Sequence, residues 1–366
     1  MTTTLTRQSW SIAGAEVWVV RVPILPGSWH SVDFPGDERG DFSTIPKAII
    51  RLRSGNGTCG IGESPRGIDV DALVDALRTL IGIEPSALRL DQLPFSPPIA
   101  ETLEIALLDL VGRLTDLPAH RLLGGACRKR VSVCYCTGRQ SPRELAAKAQ
   151  WATAHGFKVL KMKCVLEDPL REKAIAVAEA TGGALKLRLD PNERFRDVDG
   201  ALQVADMLAG FPIECFESPL PQDRLDWYRD LRSRLAIPVA LHLSDPQVTL
   251  EAIKGEAADA FNFGGGPTAF VNLARLADAA GLPIWRGSGV DLGIADAAAV
   301  HACAAAPSCT MPSDLIGHII RVDDLICTPL IAEDGEIRVP DEPGLGIDLD
   351  EDALNHYAIA PSRSIT

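Results

Sequence analysis

Short apolar runs separated by turn residues open this chain. VWVVRVPI and KAIIRLRS have the composition of β-strands, and Ser54-Gly55-Asn56-Gly57 supplies turn residues before a third run, TCGIGE. These runs predict an antiparallel sheet between about Ala13 and Glu63. Helical periodicity dominates next, from about Asp71 to Leu123, and includes the apolar segment ETLEIALLDLVGRL. The pattern therefore predicts a sheet followed by helices.

After Gly124-Gly125 the pattern changes to apolar runs that alternate with helix-like segments. The runs are VSVCYC, FKVLKMK, LKLRLD, PIECFE, PVALHL, DAFNF and LPIWRG. Alternation of this kind predicts parallel strands joined by helices. So many units favour an α/β barrel over an open sheet.

A long polar stretch, Pro26 to Thr44, separates the first two strand-like runs and is rich in Gly, Asp and Pro. A connection of this length inside a compact domain is either mobile or functional. We expect it, together with the turn from Gly62 to Arg66, to help select the substrate of any site nearby.

Polar residues stand in phase at the ends of successive apolar runs. Lys163, Asp190 and Glu217 follow one another at intervals of 27 residues, and His242 comes 25 residues after Glu217. A charged residue after a strand often only begins a solvated loop. Four such residues at the carboxyl ends of barrel strands, where catalytic residues collect, predict an active site.

Composition limits the partners of the chain. Its 366 residues carry a formal net charge of −13 with a pI near 5.0, which argues against binding to nucleic acids or anionic membranes. The N-terminus lacks the features of a signal peptide and no apolar run has membrane-spanning length, so we expect a cytoplasmic protein. The nine cysteines are scattered without metal-ligand spacing and are expected to be reduced core residues.

The segments LKMK, LRLDPNE and CFESPL, in this order and spacing, resemble the enolase superfamily, specifically its muconate cycloisomerase and mandelate racemase branch. The resemblance extends to GIGE, to SDLIG and to VPDEPGLGIDLDED. It implies an α/β fold, a modified (β/α)7β TIM barrel over residues 126–329. An α+β capping domain would span residues 1–125, with the C-terminal segment, about 330–366, packing back on it. Assembly as a homo-oligomer, a dimer or octamer, is also implied.

The resemblance also implies a chemistry. Family members remove a proton next to a carboxylate and form an enediolate that Mg²⁺ stabilises, so the expected partner is a small-molecule carboxylate. Asp190 and Glu217 are the oxygen ligands that Mg²⁺ prefers. Lys163 takes the place of the base. Lys161 would favour the neutral form of that base and contact the substrate carboxylate.

The third metal ligand departs from the family pattern. A carboxylate is usual at the end of the fifth strand, and this chain has His242 there. Imidazole suits Mn²⁺ or another divalent transition metal better than Mg²⁺, so the identity of the metal stays open. Asp245 is the alternative ligand.

A second departure concerns the opposite face of the site. The run from Asp259 to Gly266 has no lysine, and the run around Arg286 has no histidine, so two-base racemisation is disfavoured. The leading hypothesis is a dehydratase of a hydroxy acid or acid sugar. The alternatives are a cycloisomerase of the muconate-lactonizing type, then a racemase or epimerase, then a non-catalytic enolase-like binding protein.

Other polar residues are candidates for the remaining tasks. Arg286 is expected to clamp a substrate carboxylate. Asp314 and Asp291 are expected to protonate a leaving group or to hold Arg286, although Asp291 fits a helix N-cap equally well. The candidates for substrate contacts are Asn192, Trp29 and Arg66.

Overall fold

The computed structural model of the chain describes residues 10–33 and 45–366. The polar stretch from Pro26 to Thr44 was expected to help select the substrate. Most of it, residues 34–44, lies outside the described part. The first strands are β1 (Ile12–Val20), β2 (Lys47–Ser54) and β3 (Cys59–Glu63), and they pair antiparallel in that order. The predicted N-terminal sheet is therefore present.

Three helices follow, namely α1 (Val70–Leu80), α2 (Pro97–Thr115) and the short α3 (Ala119–Leu122). Helix α2 packs directly on β3 at the glycines of the GIGE segment. A Cβ atom at Gly62 would lie only 2.6 Å from the carbonyl oxygen of Thr102. The glycines of GIGE therefore allow the helix to approach the sheet. Close packing of α2 on β3 accounts for glycine at these two positions.

The barrel begins after β4 (Arg130–Ser132). Seven parallel strands lie side by side in chain order: β5 (Tyr135–Thr137), β6 (Val159–Lys163), β7 (Lys186–Asp190), β8 (Ile213–Glu217), β9 (Val239–Leu243), β10 (Ala260–Phe263) and β11 (Ile284–Arg286). The helices that connect or follow them are α4 (Pro142–Ala154), α5 (Leu170–Thr181), α6 (Val198–Met207), α7 (Leu225–Arg234), α8 (Pro246–Lys254), α9 (Pro267–Ala279) and α10 (Gly293–Ala305). The predicted alternation of strands and helices is confirmed.

Residues 311–314 close the barrel between its last and first strands. On one side the N–H of Asp314 donates to the carbonyl of Arg286 at 2.9 Å. On the other side, the backbone N–H of Ser313 donates to the carbonyl of Ser132 at 2.8 Å, and the carbonyl of Ser313 accepts from the N–H of Cys134 at 2.9 Å. This segment fills the eighth strand position of a (β/α)7β barrel.

The remaining elements are α11 (Gly317–Ile320), β12 (Glu336–Arg338), α12 (Glu351–Tyr357) and β13 (Arg363–Ile365). Strand β12 pairs antiparallel with β4, whereas β13 pairs with β1 and extends the N-terminal sheet. The last residues of the chain thus lie against the capping domain. No helix in the described ranges combines the length and the apolar character needed to cross a membrane.

Two buried carboxylates of the capping domain hold helix N-termini of the barrel. Glu63 accepts hydrogen bonds from the N–H groups of Leu292 and Ala295 at the start of α10, both at 2.8 Å. Glu104 accepts from the N–H of Thr268 at the start of α9. Acceptors at a helix N-terminus satisfy its otherwise unpaired N–H groups, so these contacts join the two domains.

Candidate active site

The in-phase residues lie on neighbouring strands at one end of the barrel. Lys161 and Lys163 are on β6, Asp190 ends β7 and Glu217 ends β8. His242 is the penultimate residue of β9. Asp190 and Glu217 are fully buried, whereas 21% of the Lys163 side chain and 41% of the His242 side chain are exposed.

Lys161 lies at the centre of three carboxylates. Its Nζ is 2.6 Å from Oε2 of Glu217, 2.7 Å from Oδ2 of Asp314 and 3.0 Å from Oδ2 of Asp190. Burial lowers the pKa of this ammonium, but the three carboxylates raise it more, so its pKa lies well above the usual value. Lys161 is therefore a buried permanent cation, and it does not reach the cavity wall.

Lys163 pairs with Asp190, with 2.5 Å between Nζ and Oδ2. The other oxygen of Asp190 accepts the backbone N–H of Asn192 at 3.1 Å. Asn192 itself has a left-handed backbone with φ of 47°, which directs this N–H at the carboxylate. Asn192 was predicted as a substrate contact; its backbone orients Asp190.

Glu217 is held by a residue that the sequence analysis did not single out. Nδ2 of Asn262, fully buried on β10, donates to Oε1 of Glu217 at 2.7 Å, and Nδ1 of His242 lies 3.7 Å from the same oxygen. Burial, followed by the negative charge of Asp190, raises the pKa of Glu217 to about 7. An amide inside the apolar run AFNF was the available signal for Asn262.

These groups suit a divalent cation in their chemistry. Two buried carboxylates, Asp190 and Glu217, end neighbouring strands of the barrel, and carboxylate oxygens are ligands that a hard divalent cation prefers. The ligand atoms of Asp190, Glu217 and His242 do not all lie within 4.8 Å of one another, and the ammonium groups of Lys161 and Lys163 contact the two carboxylates. A cation would have to compete with Lys161 and Lys163.

Asp245, the alternative third ligand, is the N-cap of α8. Its carboxylate accepts the N–H groups of Gln247 and Val248 at 2.7 and 2.9 Å. His242 has its backbone N–H bonded to Gln222 and its ring at the cavity. The carboxylate of Asp245 is thus engaged at a helix N-terminus, and His242 stays the predicted third ligand.

Asp314 and Asp291, the candidate acids, are both held ionised. Burial raises the pKa of Asp314, but Lys161 and Arg188 lower it further, to a net value below the usual one. Asp291 is bonded to Lys47 at 2.7 Å, and this cation outweighs burial, so its pKa also lies well below the usual range. Asp291 does not cap α10, because Glu63 does so.

One group in the described ranges does bring three ligand atoms of the kind that bind metals within 4.8 Å of one another: Cys134, Cys136 and Asp314. It does not favour a cation. Burial raises the pKa of both thiols, which keeps them protonated. The carboxylate is already bonded to Lys161 and Arg188. These two cysteines are core residues, as expected, whereas Cys127 and Cys327 are exposed and depart from that expectation.

Arg286 lies in the wall of a cavity, and its guanidinium is bonded to protein acceptors. Nη1 donates to the carbonyl of Gly287 at 2.9 Å and to Phe263 at 3.3 Å, and Nη2 donates to Gly265 at 2.7 Å. Nη2 also lies 3.4 Å from the carboxylate of Glu101 on α2. Protein acceptors thus engage both terminal nitrogens of this arginine, and a substrate clamp at Arg286 stays a prediction.

A cavity of about 570 Å³ opens between the capping domain and the barrel. Its wall contains Ile45, Glu63, Ser64, Pro65, Arg66, Glu101, His242, Gly264, Gly265, Arg286, Gly287, Ser288, Gly289, Asp291 and Ala295. Three residues, Asn192, Trp29 and Arg66, were predicted to contact substrate. Of these, Arg66 lies in the wall of this cavity. Trp29 does not. Its backbone packs against Gly138 and its carbonyl accepts from Gln140 at 2.7 Å.

Comparison with known proteins decides the family. Residues 144–353 match the family model described as enolase C-terminal domain-like. The chain belongs to the enolase superfamily. It falls in the mandelate racemase and muconate cycloisomerase branch, as the resemblance implied.

Relatives within the superfamily are isomerases. The chain is 32% identical to an L-Lys-D/L-Arg epimerase of Methylococcus capsulatus over 83% of this chain and 91% of that one. It is 31% identical to a chloromuconate cycloisomerase of Cupriavidus pinatubonensis over 72% and 73% of the two chains. A solved structure, the N-succinyl Arg/Lys racemase of Bacillus cereus, superposes with a TM-score of 0.83 at 24% identity, covering 97% and 100% of the chains. The chain is thus an enolase-superfamily enzyme with the expected fold.

Proposed function

We propose that this enzyme removes a proton next to the carboxylate of a small-molecule substrate with one base, Lys163, and a divalent cation held by Asp190, Glu217 and His242. The observation that carries the proposal is the one-sided distribution of lysines. Lys161 and Lys163 stand on β6, whereas the facing strand β10 offers Asn262 and is followed by Gly264. One base serves reactions that begin and end on the same face of the substrate.

The cation, when bound, supplies Lewis-acid stabilisation of the negative charge that develops on the substrate carboxylate. Lys163, partly exposed at the barrel mouth, accepts the proton from the adjacent carbon. Asp190 pairs with Lys163 and directs its amine. Asn262 orients Glu217, and Arg66 at the capping domain contacts the far end of the substrate.

Among one-base reactions, cycloisomerisation has the best support. Dehydration, the leading hypothesis from sequence, needs an acid for the departing hydroxyl, and both candidate acids are ionised by partners: Asp314 by Lys161 and Asp291 by Lys47. Opening or closing a lactone needs no separate acid, because the leaving or attacking group is itself a carboxylate. The 31% sequence identity to a chloromuconate cycloisomerase also supports cycloisomerisation.

The experiment uses the full chain loaded with Mn²⁺ or Mg²⁺ and a panel of lactones, unsaturated diacids, hydroxy acids, acid sugars, N-acyl amino acids and dipeptides. Product mass separates the candidates, since cycloisomerisation conserves composition and dehydration loses water. A keto acid as product would establish dehydration in place of cycloisomerisation. Consumption of an N-acyl amino acid or dipeptide with inversion would require a second base and contradict the one-base proposal.

The matched variants are Lys163→Met and Lys158→Met. Both remove a lysine associated with β6, but Lys158 is exposed at the opposite end of the strand. We expect the first to lose turnover and the second to keep it. Equal activity in both would remove Lys163 from the proposal.

A further inference from the structure

Charged side chains of alternating sign cross the interior of the barrel. Glu214 bonds to Arg188 at 2.7 Å, Arg188 to Asp314 at 3.2 Å and Asp314 to Lys161 at 2.7 Å. The series ends where Lys161 meets Glu217. Barrel interiors are usually filled by branched apolar side chains, and buried charges carry a desolvation cost. The series therefore carries a cost that an apolar interior would avoid.

Asp314 is fixed so that one oxygen is reserved for Lys161. Its Oδ1 lies 3.2 Å from Nη1 of Arg188 and accepts the thiol of Cys134 at 3.2 Å. The guanidinium of Arg188 rests 4.0 Å from the centre of the Trp285 ring, which holds that cation in place. The second oxygen, Oδ2, faces Nζ of Lys161.

The other two partners of Lys161 are the proposed metal ligands. Its ammonium lies within 3.0 Å of oxygen atoms of both Asp190 and Glu217. A divalent cation needs those same oxygens, and two cations a few ångström apart repel strongly in a buried site. Of the three carboxylates around Lys161, Asp314 is the one that is not a proposed metal ligand.

We propose that Asp314 is the counter-ion that keeps Lys161 from competing for Asp190 and Glu217, and that it thereby sets the affinity of the enzyme for its divalent cation. Asp314 is then a positioning residue that acts through Lys161. The inference rests on the proposed metal site, and it assigns Asp314 a task different from protonation of a leaving group.

Opposite effects follow for the two partners. In Asp314→Asn the shape is kept but Lys161 is left with Asp190 and Glu217 alone, so we expect cation affinity to fall on the order of tenfold. In Lys161→Met the competitor is gone, and affinity should rise by a similar factor. When Asp314→Asn is added to Lys161→Met, cation affinity should fall by less than about threefold, because no ammonium remains for Asp314 to hold.

The measurement is titration of the metal-free full chain with Mn²⁺ and with Mg²⁺ by calorimetry, with the electron paramagnetic resonance of free Mn²⁺ as a second readout. No substrate is required. Glu101→Gln is the matched control. It removes a carboxylate from the cavity wall that has no contact with Lys161, and we expect less than about a threefold change.

The outcomes are distinguishable. If Asp314→Asn lowers the affinity for the divalent cation equally in the presence and absence of Lys161, Asp314 acts only through its own charge, which overturns the inference. The proposed metal site would still stand. If the unmodified chain binds neither ion, the proposed metal site itself fails. If Asp314→Asn does not fold, Lys161→Met decides alone, because unchanged or weaker binding in that variant contradicts competition by its ammonium.

Discussion

The two sides of the barrel mouth are built differently. On the side of β6 to β8, charged side chains pair with one another inside the barrel, as in Lys163 with Asp190 and Lys161 with Glu217. On the side of β10 and β11, the charged residue at the mouth is Arg286. Backbone carbonyls and a carboxylate from the capping domain hold its guanidinium.

The difference separates chemistry from shape. The first side carries a residue that is able to take a proton, and its arrangement depends on the barrel alone. The second side is a wall whose position depends on the capping domain through Glu101 at Arg286 and Glu104 at the start of α9. Changes on the first side should therefore affect rate, and changes on the second side should affect stability.

The largest effect is expected from Lys163→Met. Loss of a general base should lower kcat by about 10³-fold or more, because no other lysine of the described chain stands at the facing strand. Exchange of the substrate α-proton with solvent deuterium, followed by proton NMR, gives the measurement. Lys158→Met should exchange the proton as fast as the unmodified enzyme does. Exchange at the normal rate in Lys163→Met would mean that the β6 side does not supply the base.

Arg286→Met should act on stability. Removing this guanidinium leaves the carbonyls of Gly265 and Gly287 and the Glu101 carboxylate without their donor, at a cost of about 3 kcal/mol. Urea unfolding at neutral pH measures the loss. A variant that keeps its stability but shows a sharply raised KM would support the substrate clamp predicted from sequence.

Glu104→Gln should change the pH dependence of stability. Burial raises the pKa of Glu104 to about 7, above its ordinary 4.5. The contribution of this group is thus fully present below about pH 4.5 and is lost as the pH rises through 7. We expect the unmodified chain to lose about 2 kcal/mol between pH 5 and pH 8 that the variant keeps. Parallel unfolding profiles for the two proteins would contradict this assignment.

The smallest effect concerns neighbouring glycines of the β10 side. A Cβ at Gly266 would overlap the carboxylate of Glu104 and displace it from Thr268, whereas a Cβ at Gly264 would have its nearest neighbour, Nε2 of His242, at 3.7 Å. Gly266→Ala should cost about 1 kcal/mol, the value of a lost helix cap, and Gly264→Ala less than about 0.5 kcal/mol. Thermal melts compare the two, and equal costs would mean that Glu104 does not hold this side.

Much of the first side was predictable from the sequence, because strand ends are local features. Lys163, Asp190 and Glu217 each end an apolar run, and parallel strands bring such ends together. The second side was not. Arg286 looked available for a substrate because nothing in its neighbourhood in the sequence indicates the carbonyl groups and Glu101 that surround it.

Partners distant in sequence account for the other surprises. The run VSVCYC was predicted as one strand, but it divides between β4 and β5, and Ser132 and Cys134 bond to Ser313 in the segment that closes the barrel. Asp291 was matched to a helix cap that Glu63 provides from the other domain. Contacts of this kind depend on tertiary packing, which periodicity and propensity do not encode.

The central claim is that proton transfer takes place on one face of the substrate. The most direct measurement is turnover in D₂O of the substrate accepted from the panel, with Mn²⁺ bound and the configuration of the deuterated carbon determined by NMR. We predict that deuterium enters that carbon in a single configuration, read in the reaction partner in which the carbon is tetrahedral, which is the lactone for a cycloisomerase. Deuterium in both configurations would demonstrate a second base opposite Lys163 and contradict the account.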